Sequence, residues 1–236
     1  MSGRPLGRDV TVPLLPLEIH TPCPPQPLPS CPYAFHNMAV APSDGPAAFG
    51  GDFEPSTITA AYGAGAFPWP HGDEELLWFS PDPRAIIPIG GLYVSRRLAR
   101  TLRQGRFRLT MDADFPGVMA ACAARDEGSW ITPRLIAGYT RLHALGWAHS
   151  IEVWAPGGTL AGGLYGICVG RMFGAESMFH TVTDASKVAM AALMQWAEAE
   201  GISLIDVQVL NPHTASMGAT EIPRSEYLAR LRDAIT

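Results

Sequence analysis

The sequence predicts an α+β fold, a mixed sheet packed with helices, preceded by a small α/β unit and a proline-rich head. Two observations predict the sheet and its helices. From residue 107 the apolar period runs strand, helix, helix, three meandering strands, helix, strand, helix, so a helix crosses over before the last long strand. With 47% hydrophobic and 17% charged residues in 236, the chain can bury a sizeable core and is not a disordered one. A third observation places the centre of interest. Ser203-Leu204-Ile205-Asp206-Val207-Gln208-Val209-Leu210 reads as a short strand, apolar on both faces, that nonetheless carries a carboxylate.

Each element has a local reason. Residues 1–35 hold Pro13, Pro16, Pro22, Pro24, Pro25, Pro27, Pro29 and Pro32, so this head is extended or irregular. Residues 36–83 form the small unit: a turn at Gly50-Gly51-Asp52, a helix over 56–62 with Pro55 at its start, and a strand at 76–79. The main domain spans 84–236. An extended piece over 84–89 leads to a helix over 95–105 that Ser95 caps and Gly105 stops. A strand over 107–111 and helices over 115–124 and 132–145 follow, the second with Thr132 as cap and Pro133 in its first turn. Strands over 149–154, 159–169 and 171–179 are joined by turns at Pro156-Gly157-Gly158 and Gly170. A long helix over 185–201 ends at Gly201, the Asp206 strand follows, and a helix over 226–232 closes the chain.

A carboxylate inside an apolar strand must be hydrogen-bonded, paired or neutral. Asp206 and Gln208, at i and i+2, project from one strand face, which suits either an internal polar pair or a site held on a rigid element. Net charge is −5, which does not advertise a nucleic-acid binder, yet its distribution is uneven. From Arg84 to Met111 there is no Asp or Glu but there are Arg84, Arg96, Arg97, Arg100, Arg103, Arg106 and Arg108. That segment is compatible with a phosphate-bearing partner and equally with a solvated helix face. Cys23, Cys31, Cys122 and Cys168 show no CxxC spacing, and the seven histidines show no ligand spacing, so no metal site is expected. No apolar run approaches the roughly 20 residues of a membrane span, and the N-terminus lacks a signal-peptide apolar region, so the cytoplasm is the expected compartment.

The element order from residue 107 resembles the GNAT acyltransferase fold, but the helix at 185 lacks a Gly-rich pyrophosphate loop, which speaks against coenzyme A. A more specific resemblance lies in a series of strings. They are Phe67-Pro68-Trp69, Trp78-Phe79-Ser80-Pro81-Asp82-Pro83-Arg84, Trp130-Ile131-Thr132-Pro133, His149-Ser150-Ile151-Glu152-Val153-Trp154, Gly162-Gly163-Leu164-Tyr165-Gly166, Glu176-Ser177-Met178-Phe179, Ala185-Ser186-Lys187, the Asp206 strand, and Glu221-Ile222-Pro223-Arg224. In this order and spacing, from about Pro46 to Leu231, the chain resembles the leucyl/phenylalanyl-tRNA–protein transferases.

That resemblance implies an enzyme that moves leucine or phenylalanine, and methionine less well, from aminoacyl-tRNA to a protein N-terminus beginning with Arg or Lys. The product is marked for N-degron proteolysis, without metal or cofactor. It implies Asp206 and Gln208 at the reaction centre and Glu176 beside the cationic acceptor. It places Trp69 and Trp130, with Tyr62 and Phe173 as further candidates, beside the terminal adenosine and the aminoacyl end. Leu164, Met178, Met190, Leu193 and Ile205 match the positions lining an apolar aminoacyl pocket. Arg96, Arg97, Arg100 and Arg103 would meet acceptor-stem phosphates. Arg84 fits equally a phosphate contact or a structural role, paired with Asp82 or a carbonyl. Ala175 and His180 depart from the glycine and serine expected in the family, and Val207 replaces a frequent cysteine. Nothing demands more than a monomer. The competing readings are a GNAT-like protein that binds tRNA or a degron without catalysis, and an acyl-CoA-dependent acetyltransferase.

Overall fold

The computed structural model describes residues 13–20, 24–70, 75–124 and 130–236. Within these, the chain builds a mixed α/β fold around an eight-stranded mixed sheet in the order β1-β6-β7-β8-β9-β10-β5-β11. The strands are β1 (Leu17–Ile19), β5 (Arg84–Ile87), β6 (Arg108–Met111), β7 (Ala148–Trp154), β8 (Leu160–Val169), β9 (Met172–His180), β10 (Leu204–Gln208) and β11 (Thr220–Ile222). A second sheet of three short strands, in the order β2 (Pro46–Phe49), β4 (Leu77–Phe79), β3 (Phe67–Pro68), belongs to the front of the chain.

Strands β7 to β9 are antiparallel neighbours, as a meander joined by short turns must be, and β6 pairs antiparallel to β7, whereas β10 pairs parallel to β9. Parallel pairing needs a crossover. Helix α5 (Ala185–Ala199) supplies it and ends before Gly201, whose φ of 72° stops the helix. The expected caps are present: Ser95 accepts from the Leu98 N–H at the start of α2 (Arg96–Gln104), and Thr132 from Leu135 at the start of α4 (Pro133–Ala144).

The sheet has helices on both faces. On one, α2 and α5 bury Leu98, Leu102, Ala189, Leu193 and Ala197 against Ile87, Ile151, Leu164, Ile205 and Val207. On the other, α1 (Pro55–Ala64), α3 (Phe115–Ala123), α4 and α7 (Arg224–Ile235) bury Ile58, Tyr62, Val118, Leu135, Tyr139, Tyr227 and Leu231 against Ile86, Ile167 and Leu204. The front segment shares that second core through Met38, Phe53, Phe67 and Trp78. Buried Arg224 ties it down, donating to the carbonyls of Pro42, Ser80 and Ala41, while its N–H bonds Asp82.

The described residues of the head, 13–20 and 24–35, lie along the protein. Leu17 to Ile19 pair parallel to Leu109 to Met111, Leu15 donates to Gln195, and Trp147 donates to the Gln26 carbonyl. No helix among the described residues is long and apolar enough to cross a membrane.

Candidate active site

The Asp206 strand lies inside the large sheet, between β9 and β5, with all five residues of β10 buried. Ile205 and Val207 face the α5 side and Leu204 the other, as alternation demands. Asp206 is 0% exposed, and four donors take up its carboxylate. Arg84 Nε and the Gln208 backbone N–H reach Oδ1, each at 2.9 Å, while Arg84 Nη2 at 2.6 Å and the Tyr227 hydroxyl at 2.9 Å reach Oδ2.

Arg84, also 0% exposed, is flanked by the Phe67 and Tyr227 rings at 4.8 and 4.4 Å and donates its Nη1 to the Gly65 carbonyl at 3.2 Å. Burial opposes its charge, but the Asp206 carboxylate more than offsets that and holds the guanidinium protonated. Of the two readings the sequence left open for Arg84, its burial favours the structural one; it bonds a carbonyl, that of Gly65, but its anionic partner is Asp206 and not Asp82. Glycine suits position 65: φ is +93°, a strained conformation for any other side chain, and an added Cβ would lie 2.4 Å from the Leu228 side chain, which would have to shift.

At Gln208 the regular strand breaks. One extra residue of β10 opposes β5 between Asp206 and Gln208. Gln208 has φ +60°, and Val209 N–H turns back to the Val207 carbonyl at 2.7 Å. Such a conformation is costly for glutamine and persists because Asp206 holds the Gln208 N–H. The side-chain amide of Gln208 then donates to Glu176 Oε1 at 3.0 Å. The register places them together: Gly174 of β9 pairs with Asp206, and Glu176 and Gln208 lie two residues further along the parallel pair.

Glu176 also accepts a short hydrogen bond from Tyr62, whose hydroxyl meets that of Tyr139 at 2.9 Å. Burial is the main cause that pushes the Glu176 carboxyl up to about 8, with the Asp206 charge adding to it against the donors Tyr62 and Tyr139 and the Arg84 charge. Burial beside the same carboxylate raises both phenols. Arg171 does not pair with Glu176; it donates to the Asp233 carbonyl.

Two cavities meet at this pair. The first, about 360 Å³, is lined by Glu176, Gln208 and Trp130 together with Ala175, Met178, His180, Asn211, His213 and Thr214. The second, about 340 Å³, shares Glu176, Gln208 and Trp130 and is walled by Phe67, Pro68, Trp69 and Val209. Trp69 packs edge-on against Phe79 at 5.6 Å, which fixes that wall. Glu176, Gln208, Trp69, Trp130 and Met178 are thus brought together, while Asp206, wholly buried, lines neither cavity and is tied to them through the Gln208 backbone.

Other expected site residues lie elsewhere. Leu164, Met190, Leu193, Ile205 and Phe173 are buried in the core between the sheet and α5 and line neither cavity. The cause is close packing: the α5 face carries Ala185, Ala189 and Ala192, and a Cβ on Gly162 would come within 2.7 Å of Ala185. Tyr62 is wholly buried under Glu176 and presents no face to either cavity. Sequence reasoning missed Tyr139, Tyr227, Asn211 and His213. Arg84 carried a signal, a lone arginine opening the apolar run Ala85-Ile86-Ile87.

Arg96, Arg97, Arg100 and Arg103 are exposed on α2, opposite buried Leu98 and Leu102. Arg97 pairs with Asp184 at 3.1 Å, immediately before α5, whose Ser186 contacts His180 and His213 of the first cavity. The basic face is thereby joined to the rim of the site.

Two family models match the chain: leucyl/phenylalanyl-tRNA protein transferase over residues 86–232, and the N-terminal domain of the same transferase over residues 51–82. The chain belongs to the leucyl/phenylalanyl-tRNA protein transferase family. Curated relatives bearing the name leucyl/phenylalanyl-tRNA–protein transferase include one from Anaeromyxobacter dehalogenans, 46% identical over 206 residues, 86% of this chain and 88% of that one. Another, from Solidesulfovibrio magneticus, is 45% identical over 85% of this chain and 82% of its own length. Among solved structures, L-PGS from Bacillus licheniformis is similar over 56% of this chain and 46% of that one, at 13% identity and a TM-score of 0.35.

Proposed function

We propose that this chain is an aminoacyltransferase that moves leucine or phenylalanine, and methionine less well, from aminoacyl-tRNA to proteins with N-terminal Arg or Lys, marking them for N-degron proteolysis. The observation that carries the reading is the junction of two cavities at Glu176 and Gln208, in a member of this transferase family. Aminolysis of an ester needs a carbonyl and an amine held against each other, and a stabilised oxyanion. An indole-walled chamber suits the unpaired 3′-terminal base, with Trp69 and Trp130 in its lining. Gln208 is the polar donor at the junction. Asp206 acts by orientation: ion-paired, covered and fourfold bonded, it fixes the Gln208 backbone and takes no proton from the amine. Arg96, Arg97, Arg100 and Arg103 face acceptor-stem phosphates.

Residues 36–83 then serve as a small N-terminal domain supplying the aromatic wall. Residues 84–236 are the catalytic domain, and the meander followed by a helical crossover into a strand parallel to β9 supports a GNAT-like reading of it. The enzyme works as a cytoplasmic monomer. The test is transfer of label from Leu-tRNA or Phe-tRNA to a peptide beginning with Arg. Transfer is expected; turnover of acetyl-CoA without label transfer would reject the proposal.

The raised Glu176 carboxyl gives a pH signature. It is mostly neutral at neutral pH and ionises as pH rises through about 8. A cationic Arg or Lys side chain entering beside it favours the anion, so acceptor peptide binding at neutral pH is expected to release a proton. Calorimetry in two buffers of different ionisation enthalpy measures this, and Glu176→Gln should abolish it. For stability the sign is opposite to that of a salt-bridged carboxylate. The folded state keeps the Glu176 proton above the ordinary carboxylate range and the unfolded chain does not, so stability falls as pH rises from that range to about 8. Glu176→Gln should flatten that fall in thermal melts.

A further inference from the structure

The α-amine of the acceptor is an ammonium ion at neutral pH and must lose a proton before it attacks. Neither carboxylate at the junction is suited to take it. Asp206 has both oxygens occupied by Arg84, Tyr227 and the Gln208 N–H. Glu176 is mostly protonated already, for the burial described above.

The first cavity holds another group. His213, in the short helix α6 (Pro212–Ala215), lines it together with Glu176 and Gln208. Its Nε2 lies 3.4 Å from Ser186 Oγ, and Ser186 Oγ lies 3.4 Å from Nδ1 of His180, the exposed residue at the cavity rim. The two imidazoles face each other nearly parallel, 6.3 Å apart. A serine hydroxyl has one proton to donate, so between two imidazoles it donates to one and accepts from the other; a relay outward from the cavity uses the arrangement in which Nε2–H of His213 donates to Ser186 and Ser186 donates to His180.

Resting on the transfer reading, we propose that His213 takes the proton from the acceptor ammonium and that Ser186 and His180 carry a proton onward to solvent. Nδ1 of His213 receives the proton as Nε2–H passes to Ser186, the Ser186 proton passes to His180 Nδ1, and His180 releases one to water. The freed amine forms the C–N bond at the ester carbonyl, and the C–O bond to the tRNA breaks. The second nitrogen proton leaves with the departing hydroxyl of the tRNA, so atoms and charge balance. Surroundings favour a neutral imidazole: partial burial, then Lys187, then His180 all lower the affinity of His213 for a proton. Lys187 is held in place by Ser216 at 2.9 Å. Asp184, at the start of α5, is turned to Arg97, and Glu176 on the cavity wall is mostly neutral.

The test compares wild type, His213→Gln and Ser186→Ala on two acceptor peptides. One begins with an ordinary Arg α-amine. In the other an aminooxy group, uncharged at neutral pH, replaces the amine. With the amine peptide at neutral pH, His213→Gln is expected to lower kcat/KM about 100-fold, and the deficit should shrink as pH rises and the amine loses its proton unaided. With the aminooxy peptide the loss should be less than about fivefold, since no proton need be removed first. Ser186→Ala, which keeps the imidazole but breaks the chain, should show a smaller loss with the same rescue, and it carries the comparison if His213→Gln does not fold. Equal losses on both peptides, or no loss on either, would overturn the assignment. A wild-type protein that transfers to neither peptide would instead overturn the proposed function on which it rests.

Discussion

Asp206→Ala is expected to lower the unfolding free energy by about 3–5 kcal/mol, because it leaves the Arg84 guanidinium charged, 0% exposed and without its anion. In a chain of this size that corresponds to a drop in Tm of roughly 6–20 °C. Arg84→Met should cost about as much for the mirror reason, leaving Asp206 unpaired. The pair itself contributes far less than its removal costs, since both ions gave up their hydration. A double replacement, Arg84→Met with Asp206→Leu, should therefore regain most of the lost stability. It should not regain transfer, because the Gln208 N–H would have no carboxylate to hold it in its left-handed turn. Urea unfolding of the three variants beside a transfer assay separates the two roles. If the double variant recovered both, Asp206 would be structural only.

Gln208→Asn should do the opposite: keep the fold and lose the reaction. Asparagine tolerates positive φ better than other side chains, so the bulge and its bond to Asp206 survive. Its amide is one methylene shorter and falls away from Glu176, which Gln208 reaches at 3.0 Å. Removing one positioned polar donor from a reaction centre costs about 100- to 1000-fold in kcat, and that is the expected loss in single-turnover transfer. The unfolding midpoint should move by less than about 0.5 kcal/mol equivalent. A variant that lost stability and activity together would place Gln208 in the scaffold rather than the site. Gln208→Val, with a β-branched side chain at positive φ, is the control expected to do that.

Much of the fold was legible because its causes are local. Ser95, Thr132, Gly105 and Gly201 mark helix ends through bonds and dihedrals only a few residues away, and the meander turns at Pro156-Gly157-Gly158 and Gly170 need no distant partner. The strands that escaped, β1, β2, β3 and β11, are two to four residues long, too short for a period to show, and are defined by what they pair with; the four-residue helix α6 escaped for the same want of length. In the site, Asp206, Gln208, Glu176, Trp69 and Trp130 were readable as polar or aromatic residues whose strings resemble a known family. The buried apolar set was ambiguous in the sequence: Leu164, Met190, Leu193 and Ile205 look alike whether they line a pocket or fill a core, and the structure places them in the core beside the small residues of α5.

What the sequence by itself determined is that residue 206 must have a partner. A carboxylate in an apolar strand cannot remain bare, and that holds whatever the fold. Which partner it has was decided by tertiary structure alone. Arg84 lies 122 residues away, Glu176 is 32 residues from Gln208, and Tyr62 is 114 from Glu176. These distances close only because β5, β9 and β10 lie side by side in one register, with a one-residue bulge that turns Gln208 toward Glu176. Register depends on the summed packing of both sheet faces, and no local stretch carries that information.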